Sequence, residues 1–307
     1  MEVNLSLLKG KEKSTLYFIG NGFDIFHGVK SKYIHFYSWL NLQDEEHEQF
    51  ASDMEEIFST TSIHGNWLWR DFEEALGLLD VDDVHNRFSG KEDNEFYDEG
   101  YQKRASQHIY AITSKIPGYL KEWVKYINNS EIQQKLSLSP ECLYLTFNYT
   151  LLLENVYGIP KDHILHIHNS INDAKPLVTG HKVYFREKYN DNDSLNVERS
   201  KQHIIQEANN LRKPVDKLIE ENSSFFTNLA DIKNIVVFGH SLSKIDRQYF
   251  TEVIKHVHDD THWYFVVRDN DNEAKARFEK LINYYSGEDQ YLPKIKHDNC
   301  KYIEIHN

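Results

Sequence analysis

Two short runs constrain this chain more than anything else in it. Asn234-Ile235-Val236-Val237-Phe238 and Trp263-Tyr264-Phe265-Val266-Val267 are almost wholly apolar. A strand with one wet face alternates apolar and polar residues, because successive side chains point to opposite faces. A run without that alternation belongs to a strand buried on both faces, as in a parallel sheet covered by helices. Thr15-Leu16-Tyr17-Phe18-Ile19 reads the same way, and Cys142 to Thr146, His163 to His168 and Tyr302 to Ile305 supply further strand candidates.

Helical stripes lie between them. Ile245, Tyr249, Phe250, Val253, Ile254 and Val257 share one helix face, and Ala274, Phe278, Leu281, Ile282 and Tyr285 share another. Strands alternating with helices predict an α/β, Rossmann-related, mostly parallel sheet flanked by helices. Leu16 to Ile19 and Ile235 to Phe238 are its expected central strands. The stretch from about 41 to 140 reads as a mainly helical insertion after the first strand, with a polar loop from Ser89 to Gln102, inside a single domain spanning 1–307. In that insertion Trp69 and Phe72 are expected to pack inward and Glu73 to point toward the site.

With 48 acidic and 35 basic residues, the net charge is -13. An acidic surface repels phosphate backbones and anionic lipids, which argues against bulk nucleic-acid binding but leaves room for one nucleotide in a local cleft. The two cysteines, Cys142 and Cys300, form no CxxC pair. That reads as reduced thiols of a cytoplasmic protein, with no metal site expected. Met1 to Lys13 lacks the roughly 7–15-residue apolar stretch of a secretory signal, and no apolar run is long enough to span a membrane.

The chemistry-bearing residues stand where strands end. Gly20-Asn21-Gly22-Phe23-Asp24 follows the first strand, with Gly28 further on. Glycines there permit a sharp turn and the approach of a phosphate to backbone amides. The alternative is an ordinary strand-ending turn. Thr146-Phe147-Asn148-Tyr149-Thr150 leaves another strand, and Asn148 offers both amide groups to a ligand, or caps the next helix. His166-Ile167-His168 is read as a strand with both imidazoles on one face, and His168, at its end, is placed to act as a base near neutral pH. Gly239-His240-Ser241 follows the apolar run 234–238. Its glycine and hydroxyl suit a ribose or phosphate, while Ser243 or Asp246 is a candidate helix cap. Ligands of open α/β sheets bind beyond the carboxyl ends of strands, so these segments are expected to meet in one crevice.

Taken in order, Gly20 to Asp24 with His27, Gly28, Tyr33 and Phe36, then Trp69 to Glu73, Phe147 to Thr150 with Glu154, His166 to His168, and Gly239 to Leu242 with Asp246, the motifs resemble those of the AbiH phage abortive-infection family over nearly the whole chain. Lys30 stands where that family often has Pro, and Asn169 where a Gly usually follows the histidine. More distantly the pattern is similar to sirtuin-like NAD-cleaving proteins. Gly20, Gly22 and Gly28 keep the glycine spacing, and Asp24 takes a serine's place. Thr146 and Asn148 keep a Thr-x-Asn-x-Asp pattern whose acid is replaced by Thr150. His168 matches the catalytic histidine, and Gly239, His240, Ser241 and Leu242 match a Gly-Thr-Ser-Leu. The deacetylase zinc module is absent.

The resemblance implies a sirtuin-like α/β fold and an anti-phage effector that binds NAD or a related nucleotide and cleaves its nicotinamide–ribose bond. Asn148 would orient the ribose or a water, and His168 would be the base. Asp24 or Glu73 would supply the acid missing at 150. Gly20, Asn21, Gly22 and Phe23 would hold the pyrophosphate, Gly239 with Ser241 the adenosine side, and Gly28, Thr146, His240 and Asp246 are further nucleotide-binding candidates. Partners implied are a nucleotide, a phage-derived trigger or partner protein, and a second copy of the chain. The rival readings are a non-catalytic nucleotide sensor and a metal-dependent nuclease or nucleotide hydrolase.

Overall fold

Strands form where the apolar runs stand. In the computed structural model, which describes residues 8–58, 67–91, 98–128, 131–187, 190–287 and 294–305, they are β1 (Thr15–Ile19), β2 (Leu143–Thr146), β3 (Ile164–His166), β4 (Asn234–Phe238), β5 (His262–Arg268) and β6 (Cys300–Ile305). They make one six-stranded sheet in the order β3-β2-β1-β4-β5-β6, with every neighbouring pair parallel. The expected central strands pair with each other, Thr15 opposite Asn234 through Ile19 opposite Phe238. Every residue of β1 and β4 is buried. The edge strands β3 and β6 are more open, as strands with only one neighbour can be.

Both sheet faces are covered. On one, Tyr17, Ile19, Tyr144, Val236, Phe238 and Tyr264 share a core with Phe23, Leu152 and Leu153. On the other, Phe18 meets Phe250 of the helix Arg247–His256 with ring centroids 3.9 Å apart, and Phe265 meets Phe278 of Asn272–Ser286 at 4.5 Å. Burial on both sides is why these strands lack polar alternation.

The chain divides into two compact units, one built from Met1–Ser31, Val124–Leu177 and Pro214–Asn307, the other from Lys32–Trp123 and Val178–Lys213. The first holds the whole sheet. The second is helical, with Tyr33–Leu40, Glu45–Ile57, Trp67–Arg70, Phe72–Leu76, Val81–Phe88, Glu99–Thr113 and Leu195–Asn210. Acidic and hydroxyl side chains start several of these by accepting first-turn amides, among them Asp44, Asp80, Asp98 and Ser194. The helix starting at Glu99 shortens the loop expected from Ser89 to Gln102, of which 92–97 lie outside the described residues. Trp69 and Phe72 are fully buried and stack at 5.6 Å. Among the described residues no helix is long and apolar enough to cross a membrane.

Candidate functional site

In the order β3-β2-β1-β4-β5-β6 the chain runs outward from β1 in one direction and then from β4 in the other. The loops leaving β1 and β4 therefore part at their carboxyl ends, the place where such sheets bind ligands. At that point two glycine loops lie backbone to backbone. The Gly22 amide donates to the Gly239 carbonyl at 2.7 Å, and the Gly20 amide to Phe238 at 2.9 Å. A Cβ on Gly22 would stand 2.6 Å from the Gly239 Cα, and one on Gly20 2.5 Å from the His240 Cα. A Cβ on Gly239, whose φ is +69°, would meet the Phe23 amide nitrogen. Gly20, Gly22 and Gly239 are glycines here because backbone fills the space a side chain would need.

Beside this contact the loop after β1 meets the loop after β2. Asp24, in the helix Asn21–Phe26, is 1% exposed. Its Oδ1 accepts from Asn148 Nδ2 at 2.7 Å and its Oδ2 from Thr150 Oγ1 at 2.7 Å. Burial lifts its pKa to about 6, against the two hydrogen bonds and the charge of His166, which lower it. The second hydrogen on Asn148 Nδ2 goes to the Gly20 carbonyl at 3.3 Å. With both amide hydrogens on acceptors, the orientation of the Asn148 side chain is settled, and Oδ1 is the group it can offer a ligand. The Asn148 backbone amide donates to Thr146 Oγ1 at 3.1 Å, so Thr146 holds the turn itself.

Strand β3 ends at His166, so the two histidines do not share a strand face as expected. The chain turns immediately afterwards, and Asn169 takes φ +62°. Asn is among the residues that best tolerate that conformation, and its side chain donates to the Pro176 carbonyl at 2.7 Å. His166 Nδ1 lies 2.9 Å from the Asn148 carbonyl and Nε2 3.0 Å from Glu154 Oε1. Burial opposes its charge, but the Glu154 hydrogen bond and charge, the Asn148 carbonyl and the charge of Asp173 outweigh it and raise its pKa.

His168 turns the other way. It is 3% exposed, sits edge-on to Phe147 and Tyr249, and places Nε2 3.8 Å from Asp246 Oδ1. His240 approaches the other oxygen of Asp246 at 3.7 Å through Nε2. Its Nδ1 accepts the Leu242 amide at 2.9 Å, which puts the proton of a neutral His240 on Nε2. One buried carboxylate thus stands between two imidazoles. Asp246 precedes the helix Arg247–His256 without capping it through its side chain, and accepts from Ser243 Oγ at 3.3 Å. Leu242 has φ +58°, a rare conformation for a branched side chain, so this loop is held under local strain.

The remaining expected residues divide. Asn21 and Ser241 are exposed, Asn21 bonding Ser31 through its side chain. Phe23 belongs to the core, with its ring tilted against His27 and Tyr157 and edge-on to Phe238. Gly28, at φ +87° with open space around it, ends the first helix. Glu73 lies in the second unit, paired with buried Lys213 at 2.9 Å and with Thr179 at 3.3 Å. Thr150 and Glu154 have partners that the motifs do not name, Asp24 for the first and His166 for the second. Their signal was available in spacing, since the run from Asn148 to Glu154 carries a hydroxyl and an acid just past a strand end.

Among the described residues, no three His, Cys, Asp or Glu side chains gather as a metal site requires. Residues 16–267 match the family described as bacteriophage abortive infection AbiH. No curated protein matches the chain.

Proposed function

The chain belongs to the bacteriophage abortive infection AbiH family, and from that premise we propose that it is an abortive-infection effector that binds NAD or a related nucleotide at the carboxyl ends of β1, β2 and β4 and cleaves the nicotinamide–ribose bond. The observation that carries this reading is the buried Asp24 carboxylate, held by Asn148 and Thr150 beside the point where the strand order reverses.

Cleavage breaks the bond from C1′ to the pyridinium nitrogen, and nicotinamide leaves with the electron pair. The ribose then carries oxocarbenium charge until water adds and gives up a proton. Asp24 supplies fixed negative charge near that centre, in a site where burial strengthens it. Asn148 Oδ1 accepts from the incoming water or a ribose hydroxyl, its orientation set by Asp24 and Gly20. His168 takes the released proton, with Asp246 facing its Nε2. Two thiols outside any CxxC pair fit a reducing cytoplasm, where the dinucleotide is found.

The test is to incubate the purified chain with NAD, alone and with extract of phage-infected cells, and to separate the products. Nicotinamide and ADP-ribose in equal amounts support the reading. Bound but unaltered NAD would assign the chain instead to nucleotide sensing through a partner. No binding at all would end the nucleotide reading.

A further inference from the structure

An acceptor oxygen faces each ring nitrogen of His166. Nδ1 faces the Asn148 carbonyl at 2.9 Å and Nε2 faces Glu154 Oε1 at 3.0 Å. Neither partner can donate in return, so the ring is an imidazolium whenever Glu154 is ionised. The two side chains are only 10% and 15% exposed, where salt screens little. A buried ion pair of this kind is a weak device for stability, since apolar residues of the same size serve as well or better. Its position carries more information. Glu154 comes from the helix Leu152–Asn155 after β2, and His166 from the end of β3. The ring thereby ties the edge strand to the backbone of Asn148, whose side chain holds Asp24.

We propose that Glu154 and His166 are positioning residues: their ion pair clamps Asn148 from behind and keeps the Asp24 carboxylate ionised at neutral pH. The charges bearing on His166 are Glu154, Asp173 and Asp24. Those bearing on Asp24 are the donors Asn148 and Thr150 and the charge of His166. Removing the imidazolium leaves the burial of Asp24 opposed only by two neutral hydrogen bonds, so its proton is held to higher pH. The consequence for turnover rests on the proposed glycohydrolase activity. The ionisation itself does not.

Carbon-13 NMR of the full chain, titrated from pH 4 to 8, reads both groups directly. In the wild type Asp24 is expected to titrate near 6, with His166 still carrying both protons at pH 6.5. His166→Gln keeps a donor for the Asn148 carbonyl and removes the charge, and Glu154→Gln removes the anion. Each should move the Asp24 titration upward, by about one pH unit or more for His166→Gln. The acidic limb of NAD cleavage should move with it, in kcat more than in KM. An Asp24 titration unmoved in folded His166→Gln overturns the proposal. So does a wild-type His166 already neutral at pH 6.5, a measurement that needs no variant. If no form of the protein cleaves NAD while the titrations behave as expected, the glycohydrolase reading falls and the positioning of Asp24 stands.

Discussion

Thr150 donates its hydroxyl to the Asp24 carboxylate at 2.7 Å. Asp24 comes from the helix after β1 and Thr150 from beyond the end of β2. Asn148, two residues earlier, donates to the other oxygen. If this carboxylate stabilises the ribosyl cation, Asp24→Asn should lower kcat for NAD cleavage by about 10²–10³-fold while changing binding little. Thr150→Val removes one neutral hydrogen bond and should cost about tenfold. Single-turnover rates beside equilibrium binding check both. A fully active Asp24→Asn would remove the carboxylate from the mechanism.

The same burial makes Asp24 a liability for folding. An unfolded chain releases this proton near the ordinary value of 3.8, whereas the folded chain keeps it until about 6. Between those values the folded state binds more protons, so its stability falls as pH rises. The contribution is fully present below about pH 4 and lost above about pH 6, and amounts to something of the order of 3 kcal/mol. Urea unfolding of wild type and Asp24→Asn, compared at pH 4 and 6.5, should show the wild type losing ground to the variant as pH rises. A difference that stays constant with pH would mean that folding leaves the proton affinity of Asp24 unchanged.

The sheet was readable from sequence because burial on both faces leaves its mark in every residue of β1 and β4. The rule about carboxyl ends places the strand-end loops along one edge of the sheet, where the Gly22 amide bonds the Gly239 carbonyl and the Asn148 side chain bonds the Gly20 carbonyl. What could not be read was which atom each residue uses. Spacing shows that His166 and His168 are two residues apart, but a turn at Asn169 sends one ring to Glu154 and the other toward Asp246. Nor does a glycine announce whether its missing Cβ makes room for a ligand or for the next loop. Asn169→Gly relieves the backbone but loses the bond to Pro176, and its stability should stay within about 1 kcal/mol of wild type by urea denaturation.

Glycine substitutions separate close packing from backbone strain. Gly28 has φ +87° and open space around it, so Gly28→Ala meets only the conformational penalty, about 1–2 kcal/mol. Gly22 has an ordinary φ, but a Cβ added there would stand 2.6 Å from the Gly239 Cα, and Gly239 suffers both effects. Gly22→Ala and Gly239→Ala must push the β1 and β4 loops apart, which should cost about 3 kcal/mol or more. Thermal unfolding of the three variants gives the order. Gly22→Ala as mild as Gly28→Ala would mean that the loops part easily enough to admit a ligand between them.

Asp246 stands between His168 at 3.8 Å and His240 at 3.7 Å, and the two imidazoles are assigned different work. His240 is committed: Nδ1 accepts the Leu242 amide and so helps hold the strained loop that begins at Gly239. Its replacement by Ala should loosen that loop and raise KM, with kcat falling less. His168 is the proposed base, and His168→Ala should cut kcat by about 10²–10⁴-fold with NAD affinity nearly intact. Asp246→Asn removes the carboxylate that faces both rings and should lower kcat, with NAD affinity changing less. Activity retained in His168→Ala but lost in His240→Ala would reverse the assignment and make His240 the base.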